Sequence, residues 1–116
     1  MSYIDGFVAA ARTADKETYR AHCRQMGGLF REYGALEVVD TWGDDVPEGK
    51  LTSFPLAVKR EADETVVFGW VTWPSKAVRD EAWKKVMADP RMQQGTPPPF
   101  DGKRMIFGGF EVISKS

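Results

Sequence analysis

The sequence predicts an α+β protein of the ferredoxin-like class, with the element order β-α-β-β-α-β and two helices on one face of an antiparallel sheet. Two amphipathic helical segments alternate with strand-like segments in this order. In addition, the strand-like run 66–73 is apolar on both of its alternating faces. Two helices in a chain of 116 residues can cover only one face. The other face therefore needs a partner subunit, a bound ligand or an aromatic stacking partner.

The first half of the chain is predicted to hold a strand, a helix and a second strand. Residues 3–10 form the first strand. A helix capped by Thr13 or Asp15 then runs to about residue 33, because its apolar side chains recur every three or four residues and share one face. These side chains are Tyr19, Cys23, Met26, Phe30 and Tyr33. Gly34 is expected to be a left-handed cap, before a second strand at 36–42.

The second half is predicted to complete the sheet. Residues 43–50 are rich in turn formers, and 54–58 are predicted as a short extended piece. The third main strand covers 65–73, a helix covers 76–88, and the last strand covers 104–113. In this plan the first and third strands lie at the centre of the sheet, which fits the apolar character of the third.

The length of 116 residues predicts a single domain, which the element order makes a ferredoxin-like domain over residues 1–116. The formal net charge of −1 argues against duplex nucleic acid or an anionic membrane as a partner. The single cysteine, Cys23, excludes an internal disulfide and suits a reducing compartment. The first residues lack signal-peptide character and no apolar run is long enough to span a membrane, so a cytoplasmic location is predicted.

Several sequence blocks resemble one bacterial family, the domain-of-unknown-function 1428 family. The blocks run nearly from end to end and are Tyr3–Val8, Gly43–Pro47, Thr52–Pro55, Asp63–Phe68, Val86–Met92 and Pro99–Met105. The resemblance implies a ferredoxin-like fold that dimerises sheet-to-sheet into an α+β barrel, and it implies no reaction. The wider group of dimeric α+β barrels includes cofactor-independent monooxygenases, muconolactone-isomerase-like enzymes and haem-handling proteins, but extending their chemistry to this chain rests on fold analogy.

The candidate acid and base groups are His22 and Asp5. His22 is the only histidine and lies on the shoulder of the apolar face of the first helix, where it could act as a general base. Asp5 or Glu111, both on predicted strands, could orient it. The alternative is a histidine packed at the edge of the core.

The candidate ligand-binding residues are Trp70 and Trp73, as a pocket wall, and Arg104, as an anchor for an anionic group. The alternatives are core packing for the aromatic rings and a salt bridge for the arginine. Four glycines inside predicted strands could open a pocket between sheet and helices, or could mark tight packing or a bulge. They are Gly6, Gly69, Gly108 and Gly109.

The sequence gives weaker support for two other kinds of site, a base-stacking surface for RNA and a metal site. The segment from Phe68 to Trp73 resembles the aromatic motif of RNA-recognition domains, yet it lacks the basic start of that motif, so burial of these rings is favoured. The carboxylates of Asp44 and Asp45 could bind a hard cation, but turn formation is the stronger explanation for this pair. A single histidine and a single cysteine make a zinc site unfavourable, and the sequence leaves the cofactor unknown.

Three functions remain open at this point. The first is a homodimeric protein that binds or transforms a small molecule in a pocket between sheet and helices. The second is a dimeric module without catalysis, in which the aromatic sheet face only holds the subunits together. The third is a binder of single-stranded RNA that uses Phe68 and Trp70.

Overall fold

A computed structural model describes residues 2–93 and 97–116 and shows the predicted α+β order. A 3-10 turn at Thr13–Asp15 precedes the first helix. The strands are β1 (Tyr3–Arg12), β2 (Glu37–Trp42), β3 (Glu64–Trp73) and β4 (Ile106–Glu111), and the helices are α1 (Lys16–Glu32), α2 (Phe54–Ala57), α3 (Lys76–Ala88) and α4 (Pro90–Gln93).

The four strands form one antiparallel sheet in the order β2-β3-β1-β4. The central position predicted for the first and third strands is therefore confirmed. Their ladder runs from the pair Tyr3 and Trp73 to the pair Arg12 and Glu64. Because residues alternate between faces, the odd-numbered residues of β1 and β3 share one face and the even-numbered residues share the other.

The main core lies between the sheet and the helices α1 and α3. Val71 and Trp73 pack there against Phe30 of α1 and Val86 of α3. The Phe30 ring meets Trp73 edge-on at 6.1 Å between centroids. This arrangement confirms that both long helices cover the same face of the sheet. Gly34, at φ 115°, ends α1 as its position predicted.

The prediction of an extended segment at 54–58 is wrong, because residues 54–57 form the short helix α2. The Ser53 hydroxyl accepts a hydrogen bond from the Leu56 N–H at 3.0 Å, and Pro55 occupies the first turn. Both are strong helix-start signals. The last strand is also shorter than predicted, since Arg104 lies in the turn before it and not within the sheet.

The α2 segment covers part of the second face of the sheet. Val58, which follows α2, is fully buried against Val8, Ala10 and Val66. The remainder of that face, here called the open sheet face, carries three exposed apolar side chains. They are Phe68 (40% exposed), Ile106 (45%) and Phe110 (61%).

Candidate functional site

Asp5 is the centre of a partly buried hydrogen-bond network between β1, β3 and α3. Its carboxylate accepts hydrogen bonds from the indole N–H groups of Trp73 and Trp83, each at 2.9 Å. Arg79 donates to the same carboxylate from Nη2 at 2.7 Å and from Nε at 3.1 Å. The hydrogen bond to Asp5 raises the pKa of the Arg79 guanidinium. With these donors in place, the carboxylate ties α3 to the sheet.

His22 lies elsewhere, on α1, and is half-buried. Its ring packs edge-on against Phe100 at 5.9 Å between centroids, and burial lowers its pKa. Within residues 2–93 and 97–116, no carboxylate forms a hydrogen bond or ion pair with it, and Glu111 is exposed at the end of β4. The structure therefore does not bring His22 and Asp5 together, and their acid and base roles stay a prediction.

The two candidate wall residues lie on opposite faces of the sheet. Trp73 is fully buried in the main core. Trp70 lies on the open sheet face, where its ring is 5.6 Å from that of Phe68 and its indole N–H donates to Glu37 at 3.3 Å. One pocket cannot have both rings as its wall.

Arg104, the candidate anion anchor, is held by acidic groups of the chain itself. It forms a two-point contact with Glu64, with both N–O distances 2.7 Å, and it donates to Asp101 at 2.9 Å and to the Lys59 carbonyl at 2.9 Å. Its hydrogen bond holds the pKa of the buried Glu64 carboxyl below its usual range. This geometry matches the salt-bridge alternative, in which Arg104 fastens the turn before β4 to the start of β3.

Two of the four predicted glycines, Gly69 and Gly109, reflect close packing. A Cβ on Gly69 would collide with the Phe7 ring and approach the Asp40 carboxylate, and a Cβ on Gly109 would collide with Tyr3. Glycine is therefore needed at 69 and 109, where the Phe7 and Tyr3 rings lie against the strand. This outcome is the tight-packing alternative and not an open pocket at these positions.

An open groove of about 450 Å³ lies between α1 and the edge strand β2. We call it the α1–β2 groove. Its α1 wall consists of Lys16, Tyr19, Arg20, Cys23, Arg24, Gly27, Gly28 and Arg31, and its β2 wall consists of Val38, Asp40, Thr41 and Trp42. The groove thus combines apolar, polar and cationic side chains within the size range of small-molecule sites.

The polar part of the groove centres on Tyr19. This residue is only 4% exposed, and its hydroxyl has no hydrogen-bond partner among the described residues. Its nearest polar neighbour is the Cys23 thiol, a weak hydrogen-bonding group. The ring packs against Trp42 at 5.8 Å and against Phe100 at 6.3 Å between centroids. Burial raises the pKa of the Tyr19 hydroxyl, so this group stays protonated.

Two further groups share this environment. Burial raises the pKa of Cys23 to about 12, which keeps the thiol protonated and a poor nucleophile. Burial also raises the pKa of the Asp40 carboxyl, while the neighbouring Cys23 thiol acts in the opposite direction. Burial thus makes a negative charge on Tyr19, Cys23 or Asp40 more costly than it would be in water.

Comparison of the sequence with known protein families identifies the family of this chain. Residues 2–102 match the family model described as "Protein of unknown function (DUF1428)". The chain belongs to this family. It is 54% identical over 114 residues to the "Uncharacterized protein YbaA" of Escherichia coli K12, with 97% of each chain covered, and a relative of the same name in Shigella flexneri gives the same values. The resemblance found from the sequence blocks is confirmed.

Solved structures place this DUF1428 chain in a known fold. A dimeric ferredoxin-like protein from an uncultured marine organism aligns with a TM-score of 0.59 at 9% identity, over 100% of both chains. A variant of SnoaB, a cofactor-independent oxygenase from Streptomyces nogalater, aligns with a TM-score of 0.58 at 11% identity, over 98% of this chain and 95% of SnoaB. At these identities the similarity establishes the fold. Within the described residues, no helix has the length and apolar character to cross a bilayer.

The α1–β2 groove was missed at the sequence level, although α1 carries a signal for it. Three basic residues recur at intervals of four, at Lys16, Arg20 and Arg24, and Arg31 follows after the pair Gly27 and Gly28. A four-residue repeat places side chains in one row along a helix. Glycine inside a helix costs about 0.5–1 kcal/mol relative to alanine, so a pair of them needs a reason.

We expect Tyr19→Phe to leave the protein as stable as before, or to raise its free energy of unfolding by about 1 kcal/mol, because it removes a buried hydroxyl without a partner. Urea denaturation of both proteins measures this difference. Tyr33→Phe is the matched control, since the Tyr33 hydroxyl donates to Asp89 at 2.7 Å and its removal should be destabilising. A clear loss of stability in Tyr19→Phe would mean that the hydroxyl already has a partner.

Proposed function

We propose that this DUF1428 chain binds a small molecule in the α1–β2 groove. The observation that carries the proposal is the Tyr19 hydroxyl, which is buried at the groove and has no hydrogen-bond partner within the described residues. Leaving such a group unpaired is costly, and native proteins rarely do so without a functional reason. A ligand that hydrogen-bonds Tyr19 would recover this cost.

The two glycines of α1 support the same site. A Cβ on Gly28 would meet no atom within 4 Å, and a Cβ on Gly27 would make only ordinary contacts with Val38. Packing within the chain therefore requires neither glycine. Both lie on the groove wall, where the absence of side chains leaves space for a bound molecule.

Conversion of the bound molecule is a further part of the proposal. The fold neighbour SnoaB is named as an oxygenase that needs no cofactor, so this fold is compatible with catalysis by side chains alone. In this chain Asp40 is the groove carboxylate, and its raised pKa suits a group that takes up and returns a proton. Asp40 is accordingly our candidate for the proton acceptor.

We also propose that two copies of the chain associate through the open sheet face. Its exposed aromatic and aliphatic side chains are joined by Phe54 and Leu56 of α2, which are about half exposed. Contiguous apolar surface of this kind is typical of association sites. The marine fold neighbour is described as dimeric, which supports the proposal. The cytoplasm remains the proposed compartment, in keeping with the free thiol of Cys23.

A thermal-shift screen of small molecules tests the binding site directly. We expect compounds that raise the melting temperature of the native protein to do the same for Gly28→Ala, because the added methyl group meets no neighbouring atom. The same compounds should have little effect on Gly28→Leu, whose larger side chain occupies the groove wall. Equal shifts in Gly28→Leu and the native protein would place binding elsewhere, and no shift with any compound would contradict the proposed function.

A further inference from the structure

We propose that the ligand of the α1–β2 groove is an aromatic hydroxy acid, with its anionic group at the basic residues of α1, its ring beside Trp42 and its hydroxyl at Tyr19. The inference rests on the proposed function and adds the chemical class of the ligand. Three properties of the groove carry it, namely its unpaired cations, its aromatic wall and the buried, unpaired Tyr19 hydroxyl at its floor.

The first property is a set of cations without acidic partners. Lys16, Arg24 and Arg31 line the groove and form no ion pair within residues 2–93 and 97–116. The arginines outside the groove behave differently, since Arg79 and Arg104 are each held by buried or partly buried carboxylates. The chain as a whole has a net charge of −1, so this local positive charge does not follow from composition. It suits a carboxylate or another small anion.

The second property is the aromatic wall. Trp42 is partly buried at the end of β2, and its ring lies 5.8 Å from that of Tyr19. The Lys16 ammonium is 5.8 Å from the centroid of the Trp42 ring. A flat ring can therefore pack against Trp42 while its anionic substituent reaches the cations of α1.

The third property is the floor, which favours a neutral group that both donates and accepts hydrogen bonds. The Tyr19 hydroxyl needs a partner, and Cys23 stays protonated. A negative charge on the ligand would be unfavourable there, because the Asp40 carboxyl is already partly buried beside Cys23. A ligand hydroxyl meets these conditions, since it can accept from Tyr19 and donate to the Asp40 carboxyl.

The test uses 6-hydroxy-2-naphthoate as the probe, with 2-naphthoate lacking the hydroxyl and 6-hydroxy-2-naphthamide lacking the charge. Calorimetric titration of the native protein should give the tightest binding for the hydroxy acid. Each of the other two compounds should bind about tenfold more weakly, which corresponds to the loss of one good hydrogen bond or charge contact. Raising the salt concentration should weaken the two acids and leave the amide unchanged.

Variants assign the contacts to residues. The double variant Arg24→Gln and Arg31→Gln should weaken both acids by tenfold or more and leave the amide unaffected. Tyr19→Phe should weaken only the two hydroxylated compounds. Arg12→Gln, which removes one positive charge outside the groove, is the control for each single variant Arg24→Gln and Arg31→Gln, because Arg12 is exposed on β1 and pairs with Asp63.

The outcomes distinguish failure of the proposed ligand class from failure of the α1–β2 groove as the binding site. Binding that is equal for acid and amide, or a Tyr19→Phe effect that is the same for naphthoate, would overturn the ligand class. If none of the three probes binds while screened neutral compounds bind and are blocked by Gly28→Leu, the groove remains the site but the aromatic hydroxy acid is rejected. If nothing binds in the groove, both proposals fail.

Discussion

Replacement of Asp5 by alanine should lower the free energy of unfolding by about 3–5 kcal/mol, the range seen when one partner of a buried ion pair is removed. The Asp5 side chain is only 13% exposed, and it is the common acceptor for Trp73, Trp83 and Arg79. Without it, two indole N–H groups lose their acceptor and Arg79 loses its main counter-charge. Urea denaturation followed by tryptophan fluorescence measures the loss.

Two further variants sharpen this result. Asp80→Ala is the matched control, because Asp80 also contacts Arg79, at 3.0 Å, but lies on the solvent side and should contribute much less. Asp5→Asn keeps the shape of the side chain but offers one acceptor oxygen in place of two, so its stability should fall between the native and alanine proteins. Equal stability of Asp5→Ala and Asp80→Ala would contradict the structural role assigned to Asp5.

The substitution Phe110→Glu is expected to convert a dimer into a monomer. The Phe110 ring lies across Gly6 and Gly108 on the open sheet face and is 61% exposed. A carboxylate there would be buried without a partner when two such faces meet. Light scattering over a dilution series should give twice the 13.0 kDa chain mass for the native protein and the chain mass for the variant.

Phe107→Glu supplies the control on the same strand. Phe107 is 76% exposed and pairs with Phe7, on the side of the sheet that carries the long helices. The same change of residue type should therefore leave the dimer intact. A native protein that is monomeric at low micromolar concentration would contradict the proposed assembly. Phe68 and Trp70 would then be open, and single-stranded RNA would become the first ligand to test.

The fold could be predicted from the sequence because its main signals are local. Each of these signals depends only on residues that are close in the sequence. They are the helical spacing, the strand-like run at 66–73 and the cap at Gly34. The short helix α2 is not predicted, because the apolar residues at 54–58 are typical of an extended segment. Ser53 and Pro55 are the helix-start signals that the structure follows. The last strand begins two residues later than predicted, because the Arg104 N–H donates to the Asp101 carbonyl within a turn and not to a neighbouring strand.

The candidate site was harder to predict, because its decisive contacts are not local. Asp5 receives its donors from residues 68–78 positions further along the chain, so no pattern around Asp5 could show that its carboxylate is occupied. Tyr19 and Cys23 were correctly placed on the packed face of α1, but only the structure shows that Asp40 of β2 joins them. The row of cations with two glycines on α1 was the available signal.

The central ladder also affects how the chain is made. Because β1 pairs with β3 between Tyr3 and Trp73, and with β4 only beyond residue 105, the first strand has no neighbour until more than half of the chain has been synthesised. Until then the apolar stretch from Val8 to Ala11 is exposed on the ribosome. Pairing over such long sequence separations slows folding and exposes intermediates to aggregation. We therefore expect β1 to be the segment most prone to aggregation until β3 is available to pair with it.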